Sequence, residues 1–360
     1  MYDFVVVGAG PAGSRFARRA SAAGHDVLAL EQGRVGEPLA CSGHVSTDIW
    51  EFTGPDAATD LRQNEVYGAR FHVGGPHSEA HEFYKREVVS NVIDRVGLDR
   101  HLAELAREAG ADLRERHTVT EVTEERDGVT VTARGPDGVE THEARMVVGA
   151  DGPTSRVRRD LGLPDPGELL HGVLGFDEEP DDQNYVDVHL TAPRFFAWRI
   201  PRGDAGIEYG LACPPGAQVN ELFDELVAGY GADVSKRCSG LIPVGPPDVV
   251  TTRRGLLLGD AAAQTKPFTG GGILYGMTAA DHAVRTVDPG DPRTLADYEE
   301  AWRDDLSREI RLGHLIRRAY SLPEPVQTLG LSAVSGEIGV HMDRPTSVFS
   351  AEHVRKLLSR

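Results

Sequence analysis

Residues 4–31 form a strand–turn–helix–strand unit that leaves the chain little freedom of fold. Phe4-Val5-Val6-Val7 is a β-branched run of the kind buried in parallel sheets. Gly8-Ala9-Gly10-Pro11-Ala12-Gly13 follows at once, then a helical stretch from about Ala12 to Ala23, stopped by Gly24. A second strand, Asp26 to Leu30, ends on Glu31. Gly8 permits the tight turn, Gly10 lets backbone approach a pyrophosphate, and Gly13 lets helix and strand pack closely. The helix start around Ala12 points free N–H groups at phosphate oxygens. Glu31 stands where a carboxylate accepts from both ribose hydroxyls, which disfavours a 2′-phosphate. The unit therefore predicts a Rossmann-like site for FAD or NAD, not NADP.

Three later segments narrow the choice. Asn91 to Leu102, including Asp94-Arg95, leads into an amphipathic helix ending near Gly110. Met146 to Arg158 reads as a strand, an Asp151-Gly152 turn and a helix start. Gly255 to Ala262 is a buried strand ending on Gly259-Asp260, before a glycine-rich turn and another helix. In this order they resemble the FAD enzymes of the p-hydroxybenzoate hydroxylase-like fold, which carry G-x-G-x-x-G, a central D-G and a late G-D. The resemblance implies FAD as cofactor, with Asp260 at its ribityl or pyrophosphate region, Arg95 in contact and Asp151 supporting the D-G turn. It implies further contacts from Val119, Gly272 and Ile273.

Within that group the chain is similar to the geranylgeranyl reductase family, including the archaeal digeranylgeranylglycerophospholipid reductases. Pro38 to Ser46 matches a proline, cysteine–glycine and serine segment, and Phe196-Ala197-Trp198-Arg199-Ile200-Pro201 matches an aromatic-x-Trp-x-apolar-Pro pattern. Asp260 to Ile273 matches the family's late turn, and Tyr298 to Arg303 opens a similar C-terminal helix. The match spans roughly residues 1 to 320. Ser42 stands where the family often has glycine, Phe196 where tyrosine is frequent and Ile200 where phenylalanine is frequent. The resemblance implies an FAD-dependent reductase that saturates geranylgeranyl double bonds in archaeal-type ether lipids. Flavin monooxygenases of the same fold are the rival reading; they usually show G-D-A-A-H and then G-x-G-x-N. Here Ala263 stands in the histidine position and Gly270-Gly271-Gly272-Ile273-Leu274 offers no asparagine. A flavin-binding protein without catalysis is a third reading, which no motif favours.

By the same resemblance Cys41 and Ser42 lie beside the isoalloxazine, where Cys41 positions the ring or delivers a proton; otherwise it is a small buried hydrophobe. Lys266 falls in the turn expected near the flavin N1 and O2 edge, where its cation balances charge, unless it faces solvent. His44 is another candidate for handling protons. Phe196, Trp198 and Ile200 share one face of a strand at period two and, with Pro201, would wall an isoprenoid tunnel unless they serve the core alone. His72, His77 and His81 alternate like a β-hairpin, which speaks against a zinc site. Without a second G-x-G-x-x-G, electrons are expected from transiently docked NAD(P)H or a ferredoxin-like carrier.

The flavin domain is expected to be discontinuous, at 1–75, 90–165 and 245–290. Residues 166–244, with part of 40–90, should form an antiparallel substrate-binding sheet, and 291–360 a C-terminal helical region. The fold class is thus α/β in a mixed α+β sense. With 56 acidic against 38 basic residues the net charge is -18, which argues against nucleic acid and polybasic membrane anchoring. Lys85, Lys236, Lys266 and Lys356 are the only lysines. A strong acid excess with arginine in place of lysine fits a salt-adapted, GC-rich microbe; GC bias alone is the plainer alternative. Cys41, Cys213 and Cys238 make no disulfide framework, and neither a signal peptide nor a spanning segment is read from the sequence. A cytoplasmic protein is expected, with room for peripheral contact at the inner membrane face.

Overall fold

The β-branched run becomes the strand Tyr2–Val7 at the centre of a parallel sheet, with Phe4 to Val7 buried. It pairs with Val27–Leu30 on one side and with the end of Gly138–Gly149 on the other. Asp112–Arg114 and Gly255–Leu257 extend the parallel part outward. The first half of Gly138–Gly149 pairs antiparallel with Val129–Gly135, and that strand with Thr118–Glu124, giving a seven-stranded sheet. Helix Pro11–Ala22 packs against Arg95–Glu108 and Ile273–Thr286. The helix starts at Pro11 because proline's missing N–H costs nothing in the first turn. The computed structural model describes residues 1–39 and 41–337.

A second sheet has eight strands. In spatial order it runs Lys236–Val244, Glu168–Asp177, Ile207–Cys213, Ala197–Pro201, Tyr185–His189, Gly68–His72, Ala80–Tyr84 and Gly336–Glu337. Most neighbours are antiparallel, with parallel pairs at Gly68–His72 beside Tyr185–His189 and at Ala80–Tyr84 beside Gly336–Glu337. The sheet buries both faces. Val173, Ala197, Tyr209 and Leu211 pack on helix Val219–Tyr230, while Leu170, Phe196 and Ala212 cluster on the opposite side. A three-stranded sheet of His44–Ser46, Ser90–Ile93 and Arg62–Val66 joins the two bodies.

Several boundaries differ from the sequence-based expectation. The aromatic strand begins at Ala197, because Phe195 and Phe196 stack on each other in the preceding turn, with centroids 4.5 Å apart. Pro243 lies inside Lys236–Val244, which a sheet edge tolerates. The three-histidine segment is a hairpin, in which His72 meets Asp187 at 3.1 Å. No group of three or more His, Cys, Asp or Glu among the described residues could hold a metal. The helix Leu295–Arg318 buries Tyr298, Trp302, Leu306 and Ile310, and Glu324–Val334 follows it. Residues 338–360 of the expected C-terminal region, and Ala40 of the cysteine segment, lie outside the described residues. No helix among those described is long and apolar enough to cross a membrane.

Candidate flavin and substrate site

The glycine turn has the geometry its sequence demands. Gly8 has φ +96°, and a Cβ there would lie 2.4 Å from the Ala150 carbonyl oxygen. A Cβ on Gly13 would lie 2.0 Å from the Gly8 oxygen, so only glycine lets helix and turn touch. Gly10 is different: a Cβ on it would meet nothing within 4 Å. That open space lies at a helix start with no side-chain cap and no acid in its first turn, which suits an incoming phosphate. The Glu31 carboxylate accepts from the N–H of Ala9 at 2.9 Å and of Gly33 at 3.0 Å, so it is aimed by the turn and keeps further lone pairs. Beside it, the His117 N–H donates to the Glu31 carbonyl at 2.8 Å, and Val119 follows two residues on, buried in the same core.

Two further turns close on the first. Asp151 accepts from the Ser155 hydroxyl at 2.5 Å and from the N–H groups of Arg156 and Val157 at 2.6 and 3.1 Å, capping the helix Arg156–Asp160. The buried Arg158 of that helix donates to the carbonyls of Pro153 and Ala261, tying the D-G turn to the G-D turn. Gly259 adopts φ +58°, and a Cβ there would lie 3.0 Å from that of Ala12. Its N–H donates to Gln264, whose amide donates to the Tyr298 hydroxyl, which in turn donates to the Leu257 carbonyl. The sequence marked Tyr298 only as the opening of a C-terminal helix. Asp260 reaches the start of Ile273–Thr286, where a Cβ on Gly272 would fall 2.6 Å from its Oδ1.

Arg95, Asp99, Cys41 and Asp260 form one charged group at the centre. Arg95 Nη1 pairs with Asp99 Oδ1 at 2.5 Å, while its buried Nε has no hydrogen-bond partner among the described residues. Burial pushes the Asp260 carboxyl up to about 6, with Arg95 opposing. The Cys41 thiol is also raised by burial, and Arg95 again opposes. Cys41 is nevertheless exposed, and so is not the small buried hydrophobe of the alternative reading. Ser42 accepts from the His44 N–H at 3.2 Å, and His44 Nε2 bonds the Ser90 hydroxyl at 2.7 Å. Lys266 is buried at 5% exposure, not solvent-facing, and its Cε would lie 2.9 Å from a Cβ on Gly271.

The sheet supplies the apolar wall. Phe196 stands 5.6 Å from Trp198, centroid to centroid, and Tyr320 from the C-terminal segment meets Phe195 and Phe196 edge-on. Trp198 and Ile200 continue the surface beside Val66 and Val186. Pro201 does not share it: it has the parity of Ala197 and Arg199, so it belongs to the other face of the strand. The wall abuts the flavin-side turn, since a Cβ on Gly270 would lie 3.1 Å from Ile242 and 3.3 Å from Phe195. Glu208, which the sequence did not single out, is buried in this wall and accepts from Trp198 Nε1 at 2.9 Å.

Open space at Gly10, the unbonded Arg95 Nε and the Asp260 carboxylate form a cradle with the donors and acceptors a flavin dinucleotide needs. Comparison with known proteins agrees. A family model for the FAD binding domain matches residues 1–187, which makes FAD the cofactor. Digeranylgeranylglycerophospholipid reductase 2 of Methanothermobacter thermautotrophicus is 31% identical over 333 residues, covering 86% of this chain and 85% of that protein. A geranylgeranyl bacteriochlorophyll reductase-like protein from Thermoplasma acidophilum has the same fold, with TM-score 0.86 at 24% identity, covering 99% and 98% of the two chains. The p-nitrophenol 4-monooxygenase of Pseudomonas putida follows with TM-score 0.72 at 18% identity, covering 99% and 96%. The chain belongs to the geranylgeranyl reductase family of FAD-binding proteins.

Proposed function

We propose that the protein is an FAD-dependent oxidoreductase that saturates double bonds of geranylgeranyl chains in prenyl ether lipids. The observation that carries this is the contact between the flavin cradle and an aromatic–aliphatic wall at Gly270. Reduced FAD, when bound, supplies a hydride for an unpolarised alkene. The chain's own residues do the rest. Gly8, Gly10, Ala12 and Gly13 receive the pyrophosphate, Glu31 the ribose, and the backbone near Val119 flanks the adenosine end. Arg95, Asp260, Gly272 and Ile273 hold the middle of the cofactor, and Cys41 and Ser42 face its ring. Phe196, Trp198 and Ile200 orient the isoprenoid and exclude water, since an alkene without a carbonyl is activated only by placement in a dry site. The Cys41 thiol, whose pKa stands above its ordinary value, holds the second hydrogen, and Lys266 balances charge in the turn at Gly271. The flavin body takes residues 1–75, 90–165 and 245–290, and 166–244 roofs the substrate.

Electrons come from docked NAD(P)H or a ferredoxin-like carrier, and the lipid enters from a membrane surface at the C-terminal segment. Leu315, Leu322, Val326 and Leu329 are exposed there. Residues 311–334 carry Arg311, Arg317 and Arg318 against Glu324, in a chain of charge -18. Tyr320 connects this surface to the wall.

Mass spectrometry of a geranylgeranyl ether lipid, incubated anaerobically with dithionite-reduced protein, tests the reaction. Gain of two hydrogens per reduced bond is expected. An unchanged lipid, with aromatic hydroxylation under NAD(P)H and oxygen instead, would overturn the reductase assignment in favour of the monooxygenase.

A further inference from the structure

Ile207–Cys213 crosses the middle of the eight-stranded sheet and presents Glu208 and Gly210 to the apolar wall. Gly210 faces Trp198 in register, and a Cβ there would lie 2.4 Å from the indole ring. The indole therefore lies flat over a bare stretch of backbone, which carries its Nε1 to the Glu208 carboxylate at 2.9 Å. The Ser42 hydroxyl and the Gly43 N–H lie beside the same carboxylate and favour its charged form, as does Arg202. Glu208 is 1% exposed, so nothing else solvates it. Gly43 is itself immobilised: its carbonyl accepts from the Ile93 N–H at 2.9 Å, and a Cβ on it would fall 2.2 Å from the Ile93 oxygen.

We propose that Glu208 is a positioning residue which fixes the Trp198 wall of the isoprenoid pocket to the Cys41-Ser42-Gly43 turn at the flavin. A carboxylate suits this task because its two oxygens together accept from several donors, here from two separate elements. A buried carboxylate also loses far more than a surface one when its partners are taken away. The connection makes one rigid body of the surface that orients the alkene and the turn that bears the thiol. Their separation then stays constant while substrate enters. The kinetic half of the test rests on the reductase reading; the chemical half does not.

The test compares Glu208→Ala, Glu208→Gln and Trp198→Phe in the FAD-loaded protein. Without lipid, alkylation of Cys41 by N-ethylmaleimide is followed by peptide mass spectrometry, together with the flavin absorption spectrum. Glu208→Ala should change the Cys41 alkylation rate by about threefold or more, as expected for loss of a buried hydrogen-bonded anchor. Glu208→Gln keeps one oxygen for the indole and one further donor, and should recover much of the wild-type rate. Trp198→Phe, which leaves the carboxylate in place, should change that rate less than Glu208→Ala and serves if the alanine variant does not fold. With geranylgeranyl lipid, kcat should fall about tenfold in Glu208→Ala with KM nearly unchanged, since orientation and not affinity is lost. Wild-type alkylation and spectrum in folded Glu208→Ala would overturn the proposal, as would a glutamine variant no better than alanine. Failure of the reductase reading alone would leave the alkylation result standing and abolish only the lipid kinetics.

Discussion

Two glycines of one turn behave oppositely. A side chain on Gly13 runs into the Gly8 carbonyl at 2.0 Å, whereas one on Gly10 meets open space. Gly13→Val should therefore lower the melting temperature of flavin-free protein by several degrees. Gly10→Val should leave that melting temperature unchanged and abolish FAD uptake in a fluorescence titration; retained affinity would show that the pyrophosphate sits elsewhere. Asp260 makes a pH prediction. Burial raises its folded-state pKa to about 6, and an acid raised on folding stabilises the fold at low pH. That stability is lost as pH climbs from about 4, the unfolded value, through about 6. Flavin-free wild type should lose melting temperature across this window, and Asp260→Asn should lose less. The glycine turn was readable in the sequence because every contact it makes is local or set by backbone geometry. Glu208 was not, because its partners come from the neighbouring strand and from the Ser42-Gly43 turn, and no spacing rule links them.

Among the elements, Leu295–Arg318 carries more than its amphipathic pattern suggests. Tyr298 at one end holds the Gly259-Asp260 turn, and Gly313 lets Pro267 and Phe268 approach, a Cβ there falling 2.9 Å from Pro267 Cδ. Tyr298→Phe strands a buried carbonyl and a buried amide, and should cost about 1–3 kcal/mol in chemical denaturation. The periodicity of Tyr298, Trp302, Leu306 and Ile310 revealed the helix but not this hydroxyl, since hydrophobic spacing is silent about a polar atom at the end of an aromatic ring. Pro243 is tolerated for a related reason: proline breaks a strand interior but not an edge, and edge position is a property of the whole sheet. The exposed face of Glu324–Val334 belongs to the same segment. Leu322→Asp with Leu329→Asp should abolish co-sedimentation with anionic vesicles and leave turnover of detergent-dispersed lipid intact; undiminished sedimentation would place the membrane contact elsewhere.

For the whole molecule, a charge of -18 weakens the compact state by self-repulsion in dilute buffer, and salt screens that repulsion. The melting temperature and activity should rise from dilute buffer towards molar potassium chloride. Full activity in dilute buffer with nothing gained from salt would leave GC bias as the reason for scarce lysine. The mixed fold class and the order of the flavin segments followed from the sequence because three of them are announced by a strand running into glycine, at Gly8, Gly149 and Gly259. The sheet pairing of Gly68–His72 with Tyr185–His189 could not follow, because the flavin-side segment 90–165 runs between the two stretches.

The discontinuity of the cradle bears on how the protein is made. Gly10 and Glu31 leave the ribosome early, but Asp260 and Gly272 come late, and the helix that braces Asp260 comes later still. No partly synthesised chain that lacks Tyr298 has a finished cofactor seat. Flavin acquisition thus waits until Tyr298 has been made, after every strand of the Phe196 and Trp198 wall.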